Sequence, residues 1–469
     1  LSDTQLRGAG RPCAPALGSL NLLRDGDLLL AGGLAGVAGS SSTAAPVGAG
    51  AAVVAGRCYR WRADNALVGV GDVLRGRTVF NVDSVGRMTG ALREMSGCGD
   101  QSACTRWPVE NEERSDSVEA SPACEVFEFS RAGMLTAADN QPHGQVGQVS
   151  AGSSGAGVRK DGSKVQVRAD AVFGIRGTRP VRVGRTTYQY DGAGRVIETV
   201  TKRISKKPLV RRFYYAAGEQ PIGFDSSDEP EVGYRYLYDG LGRRVAKDTV
   251  ERATGRLVRR VVFTHAGDEL IAEQTTVDDI SGTAGGGLVW CFDPVTGERI
   301  GHVELTPTQR VDHASQAEID ARFYLMMADL AGAPQEIVDP DSGEVCGRIN
   351  QSVYGRRRWQ GRCRSPLLFD GQYEDQESGW VYNRFRYYDP GSGNYNAPDP
   401  LGLAARLSDN QGYVTHTACW TDPLGLKCCG PGRWTNEREH MTPTAAAYQR
   451  QVTGTNNIYR VDANGQSVK

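Results

Sequence analysis

The chain alternates apolar and polar positions in short runs, the pattern of β-strands that cover a core with one face. The clearest run is Tyr234-Arg-Tyr236-Leu-Tyr238. A period of two puts Tyr234, Tyr236 and Tyr238 on one face and Arg235 and Leu237 on the other. The run ends in Asp239-Gly-Leu-Gly242-Arg243, and the same ending recurs as Asp83-Ser-Val-Gly86-Arg87 after Phe80 and as Asp191-Gly-Ala-Gly194-Arg195 after Tyr188-Gln-Tyr190. An aromatic strand followed by Asp-x-x-Gly-Arg is the repeating unit. Asp-Gly between two strand-like runs signals a β-hairpin, and the expected turn is type I′, with positive φ at both central residues. Beyond Arg243 the pattern predicts a meander: strands over 244–250, 256–264 and 269–275, with turns at Ala253-Thr-Gly255 and near Gly267-Asp268.

Hairpins that cannot bury a face alone build solenoids, propellers or spiral sheets in which neighbours supply the missing contacts. The Asp191 and Asp239 copies lie 48 residues apart and the Asp83 and Asp191 copies 108 apart, which excludes strict propeller blades. The stretch 96–160 reads as loops or a degraded repeat. A length of 469 residues could hold about three ordinary domains. With 39% hydrophobic residues, 59 glycines and 18 tyrosines, the expected class is all-β, a spiral of antiparallel β-hairpins.

Charge narrows the function. The 54 basic and 55 acidic residues leave a net −1, so bulk attraction of the shell to nucleic acid or to an anionic membrane is not expected. Arg356-Arg357-Arg358 is read as a solvated loop. Arginine far outnumbers the eight lysines, which suits stacking on tyrosine rings and forked pairing with carboxylates. Eleven cysteines without a C-x-x-C pair read as free thiols, with Cys98, Cys104, Cys428 and Cys429 as candidates for bridging in an oxidising compartment. The histidines are too dispersed for a metal site, and no cofactor motif occurs. Residues 28–56 carry no charge, but glycine, proline and a Ser-Ser-Ser-Thr run dilute them, so they read as a linker rather than a stable membrane span or signal peptide. The opening Leu1 suggests a fragment of a longer product.

The candidate chemistry lies in two copies of one motif, Pro-Asp399-Pro-Leu-Gly-Leu403 and Thr-Asp422-Pro-Leu-Gly-Leu426, with their aspartates 23 residues apart. Two carboxylates brought close resist ionising together, so one keeps a proton while the other activates water, the division of labour of aspartic proteases. The structural alternative is a turn, since Asp-Pro commonly starts one with its carboxylate accepting a backbone N–H. Both readings stay open. Cys419 with His416 is a second nucleophilic pair, but no oxyanion donor or orienting acid accompanies it, and His416 is read as a surface loop residue.

Between 320 and 400 the pattern tightens to Arg322-Phe-Tyr324, Asp329-Leu-Ala-Gly, Phe369-Asp-Gly-Gln-Tyr and Tyr382-Asn-Arg-Phe-Arg386-Tyr-Tyr-Asp389-Pro390. Followed by the paired Asp-Pro-Leu-Gly-Leu motifs, this stretch resembles the core of the YD-repeat or Rhs family, the carriers of polymorphic toxins. The resemblance covers most of 59–426, weakly before 185 and strongly from 320. It implies a hollow cocoon of spiralling hairpins that encloses a C-terminal toxin. It also implies an aspartyl-protease-like site, Asp399 and Asp422 here, that cuts after the second motif, between Leu426 and Lys427. Such carriers are made in the cytoplasm and exported without a signal peptide by type VI or related secretion systems, or belong to insecticidal toxin complexes. The partners this implies are the encapsulated toxin, a secretion spike or adaptor, and an immunity protein. Relatives usually carry Gly-Arg-Phe where this chain has Gly393-Asn394-Tyr395. Arg386 is the substitute charge, although its strand also makes it a structural pairing partner.

After Leu426 the composition changes. Thr442-Pro443 and the residues behind it predict a helix over 444–452, and Ala463-Asn464-Gly465 predicts a hairpin over 456–468. Ala445-Ala-Ala-Tyr-Gln-Arg-Gln-Val-Thr-Gly454 is similar to the opening of restriction-endonuclease-fold toxins, which need clustered acids and a lysine to hold a divalent metal. The tail has only Glu437, Glu439 and Asp462 as acids and ends at Lys469, so a small, incomplete α+β element without nuclease activity is expected. The expected division is a low-complexity linker over 1–58, a repeat shell over 59–319, the core with its terminal motifs over 320–426, and the toxin tail over 427–469. Two other readings are an extracellular adhesion or carbohydrate-binding protein with exposed tyrosines, and a nuclease whose catalytic part is absent from this chain.

Overall fold

A computed structural model describes residues 57–94 except 63–65 and 73, 124–141 except 132, 171–402 except 279–284, 294–296 and 307–314, and 410–426. It also describes short paired segments at 14–15, 21–22, 28–29, 149–150, 158–159, 460–461 and 467–468. Most of the linker over 28–56, the Cys98–Cys104 and Cys428/Cys429 pairings and the helix expected over 444–452 lie outside the described residues. Of the hairpin expected over 456–468, the described part is Arg460–Val461 paired antiparallel with Ser467–Val468.

The repeat turns are not type I′. In the Asp191 copy the Asp191 N–H donates to the Arg195 carbonyl at 2.9 Å and the Gly194 N–H to the Asp191 carbonyl at 3.0 Å. The left-handed residue is Gly194, φ +86°, as Gly86 and Gly242 are in the other copies. Aspartate therefore starts a type I turn, and the fourth-position glycine bulges the ladder, shifting the register at Gln189/Tyr190. One carboxylate does two jobs. Asp191 Oδ1 accepts from the backbone of Ala193 (3.0 Å) and Arg195 (2.9 Å), while Oδ2 takes Arg195 Nε at 2.8 Å. The arginine then fastens the next hairpin: its guanidinium lies 4.8 Å over the Tyr215 ring and donates to the Ala216 and Gly218 carbonyls, each at 2.8 Å. Ser130 and Ser352 replace aspartate in further copies, with hydroxyls accepting from Met134 N (3.2 Å) and Arg356 N (3.0 Å). So 124–141 is a degraded repeat.

Among the described residues, neighbouring strands follow one another in chain order. A seven-stranded antiparallel sheet runs from Ala14–Pro15 through Arg57–Trp61 to Leu135–Gln141. The Phe173 N–H donates to the Thr136 carbonyl at 2.8 Å and hands the chain to a sixteen-stranded sheet from Gly174–Arg176 to Arg357–Gly361. On either side of residues 319 and 320, which lie in the short helix Gln316–Asp320, the strands Arg299–Leu305 and Phe323–Ala328 pair within that sheet. The predicted meander is present as Arg244–Glu251, Leu257–Ala266 and Glu269–Asp278. Tyr236 is buried while Arg235 and Leu237 are exposed, so the strand presents its tyrosine face to the interior.

A four-stranded sheet, Tyr373–Asp375, Trp380–Asn383, Arg386–Asp389 and Asn394–Tyr395, packs on that aromatic face. Phe213 stacks on Trp380 with 3.5 Å between centroids, Phe263 meets Tyr373 edge-on, and Tyr188 donates to Asp389 Oδ2 at 2.7 Å. At the centre the fully buried Arg244 donates to Asp375 Oδ2 at 2.5 Å inside a cage of Tyr236, Phe263, Tyr373, Tyr382 and Tyr387. Lys247 reaches Asp375 Oδ1 at 3.1 Å. Burial alone would raise the Asp375 carboxyl, but Arg244 and Lys247 outweigh it and hold it below the usual carboxylate range.

The first strands also dock on the last ones. Arg57 and Arg75 both bind the buried Glu336, Arg75 Nη2 donates to the Ile349 carbonyl at 3.2 Å, and Glu125 accepts the Val353 N–H at 3.0 and 3.1 Å. Burial, opposed by Arg93, pushes the Glu125 carboxyl up to about 7.

Two outcomes are expected. Asp375→Asn leaves a buried guanidinium without its counter-charge and lowers the unfolding free energy by about 3–5 kcal/mol in denaturant titration. Glu125, whose folded value lies above its ordinary one, contributes stability that is complete below about pH 4.5 and lost as pH rises through about 7. Glu125→Gln is therefore more stable than the parent at pH 8, by roughly 2–3 kcal/mol, and no different near pH 4.5; a parent and variant with parallel pH–stability curves would disprove this.

Candidate active site

The site begins with a tight hairpin. Asn383 and Arg386 pair across a two-residue connection, Arg384-Phe385, and Arg384 is a non-glycine residue with φ 51°. That conformation costs about 1–2 kcal/mol. Asp268, which binds the Arg384 side chain at 3.0 Å, and Gln220, which donates to its carbonyl, hold it in place. Asn383 and Arg386 thus project from one end of the inner sheet.

Each Asp-Pro-Leu-Gly element folds into the turn used by the repeats. The Gly402 N–H donates to the Asp399 carbonyl at 2.8 Å and the Gly425 N–H to the Asp422 carbonyl at 3.3 Å, with φ +63° and +67° at the glycines. Asp399 Oδ1 accepts the Leu401 N–H at 2.8 Å, and Asp422 Oδ1 accepts the Leu426 N–H at 3.0 Å. In the repeats Oδ2 is occupied by the arginine four residues on. Here that position is Leu403 or Leu426, and Oδ2 is left for a different partner.

That partner is Arg386. Its Nη2 lies 2.8 Å from Asp399 Oδ2 and 3.7 Å from Asp422 Oδ2, its Nη1 donates to the Asn410 carbonyl at 3.0 Å, and its Nε donates to the Gly425 carbonyl. The guanidinium rests 3.7 Å from the centre of the Tyr395 ring. Arg386, Asp399 and Asp422 are 2%, 6% and 4% exposed, so water does little to screen them. The Tyr395 hydroxyl donates to Asp422 Oδ2 at 2.8 Å, and Asn383 Nδ2 donates to both that hydroxyl and the Asp422 carbonyl, each at 2.8 Å. Burial and then the Asp422 charge push the Tyr395 hydroxyl well above its ordinary value, so it keeps its proton. The chain just before the expected cut is held closely: the Phe385 N–H donates to the Leu424 carbonyl at 3.2 Å, and a Cβ on Gly425 would lie 2.7 Å from the Asn383 carbonyl oxygen.

Asp399, Asp422 and Arg386 therefore share one buried cluster with the backbone of Leu426, while Lys427 lies outside the described residues. The turn and the carboxylate pair turn out to be compatible, since Oδ1 closes the turn and Oδ2 faces the arginine. A cation between two carboxylates relieves the repulsion that would otherwise force them to share a proton.

Asn394, where relatives carry arginine, donates its side-chain amide to the Ser392 carbonyl at 2.7 Å. Another expectation is corrected. His416 is not on the surface: it is 2% exposed, with Nε2 2.9 Å from the Leu67 carbonyl and its ring at the edge of Phe80, and burial lowers its basicity. The buried Cys419 thiol is pushed up by burial and faces the His416 backbone carbonyl at 4.0 Å, so no thiol–imidazole pair forms. Within the basic run Arg356 and Arg358 are exposed, as read, while the Arg357 side chain is buried and bonds Glu374 at 2.8 Å. Among the described residues no three His, Cys, Asp or Glu side chains gather as a metal ligand set. Tyr395 and Asn383 were not foreseen, and only the hairpin geometry reveals them.

No family model matches the chain. Curated proteins do. The Probable deoxyribonuclease RhsA of Dickeya dadantii is 32% identical over 258 residues, covering 54% of this chain and 16% of that protein. The Double-stranded DNA deaminase toxin A of Burkholderia cenocepacia is 30% identical over 313 residues, covering 63% of this chain and 20% of that protein. The chain thus spans a fifth or less of the length of these relatives. A solved structure, TcdB2-TccC3, is similar at a TM-score of 0.48 and 15% identity, covering 81% of this chain and 18% of that one. With hairpin repeats, paired terminal motifs and 32% identity to one of them over 54% of its length, the chain is similar to the Rhs, or YD-repeat, toxin proteins.

Proposed function

We propose that this chain is the carrier part of an Rhs toxin, a β-shell that encloses and delivers the segment following Leu426 in interbacterial competition and cuts itself between Leu426 and Lys427. The observation that supports it best is the single Arg386 nitrogen facing both Asp399 and Asp422, with the Leu426 N–H held on Asp422 Oδ1. The residue whose carbonyl would be attacked is thereby tied to one of the two carboxylates. In this reading an ionised carboxylate takes a proton from water as the water oxygen adds to the Leu426 carbonyl carbon. The carboxyl so protonated then gives that proton to the Lys427 nitrogen as the C–N bond breaks, leaving a Leu426 carboxylate and an ammonium group on Lys427.

A shell of near-zero net charge suits a container better than a nucleic-acid binder. Its partners in this reading are the captive toxin, a secretion spike or adaptor that takes it from the cytoplasm through a type VI or related system, and an immunity protein that meets the toxin. The adhesion alternative asks for exposed tyrosines, whereas Tyr188 and Tyr236 are buried against the inner sheet.

Intact mass under denaturing conditions is the test. The parent yields a product ending at Leu426 and a separate peptide beginning at Lys427, and Asp399→Asn and Asp422→Asn each reduce cutting by at least about 100-fold; an uncut parent would leave a container with turn-forming aspartates. Gly425→Ala, which forces the strand away from Asn383, slows the same reaction by on the order of 100-fold.

A further inference from the structure

We infer that Tyr395 is a positioning residue of this site, whose hydroxyl fixes Asp422 in the orientation and charge state that cleavage needs. The inference rests on the self-cleaving reading and adds a group to it. A tyrosine hydroxyl has one proton and can also accept. Asn383 Nδ2 donates to the Tyr395 oxygen at 2.8 Å, which occupies its accepting side and leaves the single proton for Asp422 Oδ2, also at 2.8 Å. The direction of that hydrogen bond is set by the neighbours. The same Asn383 nitrogen donates to the Asp422 main-chain carbonyl at 2.8 Å, so one Asn–Tyr pair clamps Asp422 at its backbone and at its side chain.

Arg386 adds to the effect. Its guanidinium lies on the Tyr395 ring face at 3.7 Å and places a positive charge where it strengthens the phenol as a donor. The two carboxylates are served unequally: Arg386 Nη2 is 2.8 Å from Asp399 but 3.7 Å from Asp422. The hydroxyl gives Asp422 Oδ2 a contact as short as the one Arg386 gives Asp399, each 2.8 Å. A donor to the charged form favours that form, so the hydroxyl holds Asp422 as an acceptor with Oδ2 turned to the arginine. Among the described residues, the titratable and charged groups around Asp422 include Arg386, Asp399, Tyr395 and Tyr413, the last placing its ring beside Tyr395 with 5.8 Å between centroids.

Tyr395→Phe removes one oxygen and keeps the ring beneath Arg386. The full chain, made by cell-free translation and transferred to buffers between pH 4 and 9, is followed by intact mass over time, and the variant's thermal melt is recorded beside that of uncut Asp399→Asn. The expected result is cutting slowed by about 10- to 100-fold, with the acid limb of its pH profile moved to higher pH and the melt within a few degrees. Equal rates and superimposable pH profiles in parent and variant would overturn the role of Tyr395 while leaving the self-cleaving reading intact. Slower cutting with an unmoved profile and a much lower melt would make the hydroxyl a packing group and overturn the positioning role. A parent that stays whole overturns both.

Discussion

The buried pair of Arg244 and Asp375 is the contact on which the interior depends. It joins a shell strand to the first strand of the inner sheet across 131 residues of sequence. Desolvating both ions costs several kcal/mol each, and their attraction need not return it all. Its value lies in register: five aromatic rings and Lys247 surround the one position where the Arg244 guanidinium meets its carboxylate. With Asp375 pinned, Tyr373 meets Phe263, Trp380 meets Phe213, and the hairpin at 383–386 is delivered to the place where the two terminal turns converge.

The site is the repeat's own turn put to another use. In the Asp83, Asp191 and Asp239 copies the aspartate spends one oxygen on the backbone and the other on the arginine four residues on, and that arginine crosses to the next hairpin. In the terminal motifs the sequence has leucine at the arginine position. A single cation from the inner sheet serves both aspartates. The change from a local ion pair to a shared buried cluster replaces two local arginines with one distant one.

Much of this was legible because it is local. Period-two alternation placed Tyr236 inside and Arg235 outside, and the meander over 244–278 followed from turn residues between apolar runs. Turn type was misread because Asp-Gly drew attention to Gly192 and Gly240, while the strained backbone falls two residues later, on Gly194 and Gly242. Copies led by Ser130 and Ser352 escaped notice because a hydroxyl fills the role of a carboxylate. The paired aspartates could be found from the repetition of their motif. Tyr395 and Asn383 could not, since their partner Asp422 lies 27 and 39 residues away. His416 looked like a surface residue because its burial is decided by a carbonyl 349 residues earlier.

That last contact has a consequence for biogenesis. The His416 ring bonds the Leu67 carbonyl, the Met88 N–H donates to the Thr415 carbonyl, and the Val196 N–H donates to the Asn396 carbonyl, so the segment bearing the aspartates is laced to strands made long before it on the ribosome. Contacts of such sequence separation form late, after the loops between them have been closed at an entropic cost. The two aspartates can meet only when the early strands are already in place to receive them. The cluster is therefore a register of completed assembly, absent from a half-built chain and formed once the early and the late strands have met.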